Sequence, residues 1–129
     1  MKETILLFGF DEKKKAEIKR ALLPLKMKIK VVEPEDYHQQ VGYLAGNKEI
    51  SPKESADESK TEEFEQEMMV MAWVSSAQVD QVLQAMRKQG IGRISYKAVL
   101  TQQNQYWDCV TLYEELKKEH AMYMEMAGK

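Results

Sequence analysis

The chain has one cysteine, Cys109, and two histidines, His38 and His120. A single thiol cannot close an internal disulfide, and such usage fits a reducing compartment, for which the cytoplasm is expected. With so few soft ligands, no metal signature and no catalytic signature stands out, and neither a metal nor a cofactor is expected. Long apolar runs are missing too. None approaches the roughly 20 residues needed to cross a bilayer, so no membrane span is expected. The opening MKETILLFGF is too short in its apolar part, and lacks the small-residue cleavage site, to read as a secretory signal; it reads as a first strand. Nor is there an excess of positive charge. A net charge of -2 argues against a protein that neutralises many phosphates, so a nucleic-acid partner is not expected.

What is present is ordinary for a soluble globular domain: 43% hydrophobic and 31% charged residues in a 129-residue chain. That length suits one domain, which buries about two thirds of the surface its unfolded form exposes. The acidity is concentrated in one place. Residues 46–67 carry 8 acidic against 3 basic side chains, while the flanking parts are close to neutral.

Those flanks follow one plan twice: apolar run, capped amphipathic helix, alternating strand, then a short segment opened by an aromatic. The ends of the two copies line up without a gap, YHQQVGYL (Tyr37 to Leu44) against YWDCVTLY (Tyr106 to Tyr113). The expected organisation is a single domain, 1–129, made of two βαβα copies at 1–46 and 67–129. The stretch 47–66 between them is rich in Glu, Lys and Ser with few apolar anchors, and is expected to be a flexible acidic linker.

The first strand, Thr4 to Phe10, is apolar on both alternating sets, as is its counterpart Met68 to Val74, so both need cover on two faces. Asp11 and Ser75 or Ser76 are the expected helix N-caps, and Pro24 and Gly90 the stops. The second strands, Met27 to Val32 and Arg93 to Leu100, alternate polar and apolar residues, and Lys28 and Lys30 mark an edge. Ile94, Tyr96, Ala98 and Leu100 should share one side. A long last helix should bury Cys109, Leu112, Tyr113, Leu116, His120 and Tyr123. The fold class is therefore α/β, one four-stranded sheet with the first strand of each copy at its centre and helices packed on it. A ferredoxin-like split βαβ sheet in the order 4-1-3-2 is favoured over a small parallel doubly wound sheet in the order 2-1-3-4.

The run KAVLT (Lys97 to Thr101), with Asn104, Trp107 and LYEELKKEH (Leu112 to His120), resembles the bacterial domain of unknown function family 3783. VVEPEDYHQQVGYLAG (Val31 to Gly46) is similar to the N-terminal part of longer members. The family pattern has leucine before the lysine and proline after the threonine, where this chain has Tyr96 and Gln102. The resemblance implies no activity, substrate or cofactor.

Lys97, Thr101, Asn104 and Trp107 gather where the last strand leaves the sheet, the end at which alternating α/β folds bind ligands. A lysine, a hydroxyl and an amide beside an indole suit a small anion or a nucleotide. Capping and packing account for the same residues: Asn104 as the cap of the last helix, Thr101 closing a turn, Trp107 in the core and Lys97 solvated. GYLAG, at Gly42 to Gly46, resembles no phosphate loop, so packing and helix termination explain it. Cys109 and His120 stand about 16 Å apart on a continuous helix, which excludes a nucleophilic pair. The methionines of HAMYMEM (His120 to Met126) read as adaptable filler and not as copper ligands. The basic run of Lys13, Lys14, Lys15, Lys19 and Arg20 lacks the interleaved aromatics that stacking on nucleic acid requires. The leading expectation is a binding or interaction domain without catalytic residues, meeting a small molecule or protein at the Lys97 to Trp107 corner. A homodimer through an edge strand or the last helix is the further expectation. A small enzyme or cofactor-binding protein using the same corner is the alternative, and nucleic-acid binding through the first helix the third.

Overall fold

The computed structural model describes residues 1–54 and 64–127. Among these, β1 (Thr4–Phe8), β2 (Lys28–Val32), β3 (Met68–Ala72) and β4 (Tyr96–Val99) form one sheet in the order β2-β1-β3-β4. Helices α1 (Glu12–Leu22) and α3 (Ser76–Lys88) connect the strands of each pair, and α2 (Val41–Leu44) and the long α4 (Cys109–Ala127) follow β2 and β4.

Every residue of β1 and β3 is buried, as strands apolar on both sets require. Ile5, Leu7, Met69 and Met71 pack on Ile18 and Leu22 of α1 and on Val82 and Met86 of α3. The opposite set, Leu6, Phe8, Met68, Val70 and Ala72, packs on Val41 and Leu44 of α2 and on Cys109, Leu112 and Tyr113 of α4. The result is a helix, sheet, helix sandwich. Both crossover helices start as expected: the Asp11 carboxylate accepts the Lys14 N–H at 2.7 Å, and Ser75 and Gln78 form a reciprocal capping box.

The α/β class and the central place of β1 and β3 hold, but the favoured 4-1-3-2 order does not form. β1 pairs directly with β2, and β3 with β4, both in parallel, while β1 and β3 run antiparallel with Leu6 opposite Val70. The alternative had the right order with a wrong central direction. Right-handed crossovers leading outward from the centre place their helices on opposite faces when the central strands are parallel, and on one face when they are antiparallel. Here α1 packs beside α3 on one face.

Two smaller expectations also change. Regular strand begins only at Tyr96, so the alternation does not run through from Arg93; Ile94 packs with the α3 layer while Tyr96, Ala98 and Leu100 face α4. Tyr123, assigned to the buried stripe of the last helix, is exposed because α4 continues past the sheet. Of the expected linker 47–66, residues 55–63 lie outside the described residues, and both described ends are anchored. Ile50 is buried, Asn47 donates from Nδ2 to Gln105 Oε1 at 2.8 Å, and Gln39 exchanges two hydrogen bonds with the Lys53 backbone. At the far end the Gln66 N–H donates to the Tyr113 hydroxyl, and just past it the Lys14 ammonium meets Glu67, the Arg93 carbonyl and the Phe10 ring.

The residue after each central strand is left-handed, Gly9 at φ 72° and Trp73 at φ 61°. Glycine adopts this freely, whereas tryptophan does so at a cost of about 1–2 kcal/mol. An indole N–H donated to the Ala45 carbonyl at 2.8 Å, together with packing on the α4 face, offsets that cost. Gly42 answers a different need, close approach: a Cβ there would lie 2.7 Å from Ile50 Cδ1 and 2.9 Å from Gln105 Cβ. Gly42→Ala is expected to lower stability by about 1–3 kcal/mol, seen as a lower urea midpoint at unchanged slope. Gly92→Ala, where nothing lies within 4 Å, should leave the midpoint in place.

Candidate functional site

At the expected corner the structure brings Thr101, Asn104 and Trp107 together and separates Lys97 from them. The Thr101 N–H donates to Asn104 Oδ1 at 2.7 Å, the Asn104 N–H to Thr101 Oγ1 at 3.0 Å, and Asn104 Nδ2 to the Val99 carbonyl at 3.2 Å. The two side chains thus close reciprocally the turn 101–104 that leads into the 3₁₀ segment Asn104–Tyr106. The cap of the last helix is Asp108, whose carboxylate accepts the Thr111 N–H at 2.7 Å; sequence reasoning had given that task to Asn104. Trp107 is half-buried on the α4 face, with its carbonyl accepting the Val41 N–H at 2.9 Å. Lys97 lines a cleft with Met86, Arg87 and Arg93 on the opposite face, because the β4 pleat sends Tyr96 and Ala98 toward α4. Asn104→Ala is expected to lower stability by about 1 kcal/mol, as cap removal does, measured by thermal or urea unfolding.

A second group of residues was not anticipated. Gln66, Arg93, Ser95, Tyr96 and His120 line an open cleft of about 340 Å³ between the segment before β3, the start of β4 and the body of α4. Ser95 Oγ donates to Gln66 Oε1 at 2.9 Å. Tyr96 stands edge-on to His120 at 5.7 Å between ring centres and edge-on to Tyr113 at 5.3 Å. Behind it Tyr113 stacks on Phe64 at 4.1 Å, and Phe64 stacks on Tyr37 at 4.1 Å. The Tyr113 hydroxyl accepts the Gln66 N–H at 3.1 Å. Burial, with the Tyr113 hydroxyl nearby, holds the Tyr96 phenol above its usual range. The available sequence signal was Tyr96 itself, standing where the family pattern has leucine. Its partners come from three separate stretches, which no local spacing could connect.

The remaining candidates are structural in what they touch. α4 is continuous from Cys109 to Ala127, so Cys109 and His120 stay apart. Cys109 is fully buried and points its thiol at the Gln39 carbonyl, 3.5 Å away. Burial pushes that thiol far above its ordinary value, with Asp108 and Asp36 adding to the effect. Among the described residues, no three His, Cys, Asp or Glu side chains stand where they could hold a metal ion, and no helix is long and apolar enough to cross a membrane. In the basic run of α1, Lys14 is held by Glu67 and Lys15 by Glu12.

Residues 67–123, from the start of β3 into α4, match the family model described as "Domain of unknown function (DUF3783)". This segment, 57 of the 129 residues, is similar to the DUF3783 family. The DUF3783 region contains Arg93, Ser95, Tyr96, Tyr113 and His120, and it begins after the Val31 to Gly46 segment that resembled longer members. Neither a curated protein nor a solved structure matches the chain. Because the family description states no activity, a functional reading of the DUF3783 unit has to come from its geometry.

The raised thiol of Cys109 gives the protein a defined alkaline limit. A thiol kept protonated by folding contributes stability that is complete below the unfolded value, ordinarily 9.0, and is lost as pH rises above it. The expected loss from Cys109 is about 1.4 kcal/mol per pH unit above that point. Cys109→Ala should flatten the alkaline limb of a stability-against-pH curve, and an unchanged limb would show that other groups set it.

Proposed function

We propose that the protein is a binding domain without catalytic residues, that its ligand is a small anion or an anionic molecule, and that it meets the cleft of Gln66, Arg93, Ser95, Tyr96 and His120. One observation carries this reading: Gln66 before β3, Arg93 and Ser95 before β4, and His120 on α4 line one concavity backed by packed aromatic rings. An arginine fork beside an imidazole suits phosphate or carboxylate. This cleft is favoured over the Lys97, Thr101, Asn104 and Trp107 corner because its residues line one concavity, whereas Lys97 lines a different cleft that Thr101, Asn104 and Trp107 do not reach.

The same proposal includes an origin by duplication, with β1 to α2 and β3 to α4 as the two copies. It is supported by equivalent features at equivalent places: left-handed Gly9 and Trp73, N-caps Asp11 and Ser75, and buried Val41 and Cys109 opening α2 and α4. Leu6 pairs with Val70 and Gln40 bridges Asp108, so like meets like across a pseudo-two-fold axis. These pairings set Val41 against Cys109, one residue away from the gapless alignment of Tyr37 with Tyr106.

Inorganic phosphate titrated into isotope-labelled protein should shift the backbone amide signals of Gln66, Ser95 and Tyr96. Arg93→Gln should weaken that binding about tenfold, the loss of one charge-assisted contact. Absence of shifts in the native chain, or equal binding by the variant, would rule the cleft out.

A further inference from the structure

We infer that the anionic ligand carries a chain of phosphoryl groups and spans two clefts that meet at Arg93, the second of them lined by Arg87 and Lys97. The inference rests on the cleft proposed above and adds the class of molecule that occupies it, an oligophosphate.

Arg93 lines both concavities. It stands just before β4, where Ser95 lines the cleft on the α4 face and Ile94 the cleft on the α3 face, so Arg93 sits at their junction. The Lys14 ammonium, bonded to the Arg93 carbonyl at 3.1 Å, holds this backbone in place.

The second cleft is lined by cations and by no carboxylate. Arg87 from the last turn of α3, Arg93, and Lys97 of β4 surround about 160 Å³ together with Leu83, Met86, Ile91 and Ile94. All three cations are exposed, and among the described residues none makes an ion pair or a side-chain hydrogen bond. Other cations on this face are differently placed. Lys14 and Lys15 are held by Glu67 and Glu12, and the groove of Lys13 and Arg20 includes Glu17. Nor does the end of α3 need Arg87: the carbonyls of Ala85, Met86 and Arg87 accept the backbone N–H groups of Gln89, Ile91 and Gly90. A cleft lined by one sign of charge over apolar walls focuses the field and concentrates counter-ions.

Size separates the roles of the two clefts. Sites for small molecules usually occupy about 300–1,000 Å³. The cleft at His120, about 340 Å³, reaches that range, whereas the one at Lys97 falls short of it and suits a single group of a larger ligand. A phosphoryl chain supplies such groups in series, each charged and each able to accept a guanidinium fork. One end lies in the cleft of Gln66 and His120, the chain passes Arg93, and the other end lies between Arg87 and Lys97.

The test titrates the isotope-labelled whole chain with orthophosphate and with tripolyphosphate at equal ionic strength. Orthophosphate should shift the amide signals of Gln66 and Tyr96 without those of Arg87 and Gly92. Tripolyphosphate should shift all four and bind about tenfold more tightly, from two added exposed contacts. Arg87→Gln combined with Lys97→Gln should remove that gain and leave orthophosphate binding as it was. Lys13→Gln combined with Arg20→Gln, an equal loss of charge on the same face, should leave the gain in place. All four side chains are exposed, so neither pair should disturb folding. If tripolyphosphate shifts only Gln66 and Tyr96, or if the control pair removes the gain equally, the inference is overturned while the cleft at His120 stands. Shifts confined to Arg87 and Gly92, or no shifts with either ion, overturn the inference and the cleft reading together.

Discussion

The antiparallel ladder between β1 and β3 is the constraint on which the rest of the structure depends. Both strands are buried on both faces, so neither can lie at an edge, and their pairing closes the centre of the sheet. Direction matters as much as position. With the central strands opposed, crossovers of the usual right hand put α1 and α3 on one face, and the other is left to α2 and α4. The segments after β2 and β4 then fold back over that second face and meet, where Gln40 bridges Asp108 and the Val41 N–H reaches the Trp107 carbonyl. The close contact at Gly42 follows from this meeting, because α2 lies against the turn that precedes α4 in the opposite half.

Equivalent places in the two halves have diverged according to local packing. After β1 the left-handed residue is glycine, and the space beside it is taken by the backbone of Phe64, Gln66 and Glu67 from outside the strand pairs. After β3 the same backbone conformation is carried by Trp73, whose indole covers its own end of the sheet. The halves therefore present different chemistry at their two ends: a self-filled hydrophobic end, and an end with stacked tyrosines beside Arg93, Ser95 and His120. A functional reading attaches to the second because polar side chains and an open concavity coincide there.

The stretch 47–66 shows how composition and structure diverge. Rich in charge, it looks unable to anchor itself, yet Ile50 packs beside Gly42 and Phe64 enters a ring stack. Each anchor is one residue in a polar run, invisible to any average over a window. Its worth depends on a socket built by distant residues. Asn104 illustrates the converse: recognising it as a capping residue was correct in kind, but which turn it caps depends on where α4 begins, and Asp108 holds that position.

From the sequence alone came the α/β class, the central strands, the N-caps Asp11 and Ser75 and the separation of Cys109 from His120. All of these follow from periodicity and from local hydrogen bonding, which act over a few residues. Strand order, the opposed central pair, the face taken by Ile94 and Lys97 and the gathering of Phe64, Arg93, Tyr96, Tyr113 and His120 were decided by tertiary structure. Apolar patterning tells a strand which faces to bury without telling it which neighbour to pair with or in which direction. That choice is made when crossovers and helices close around the sheet, and the candidate site is assembled by the same event.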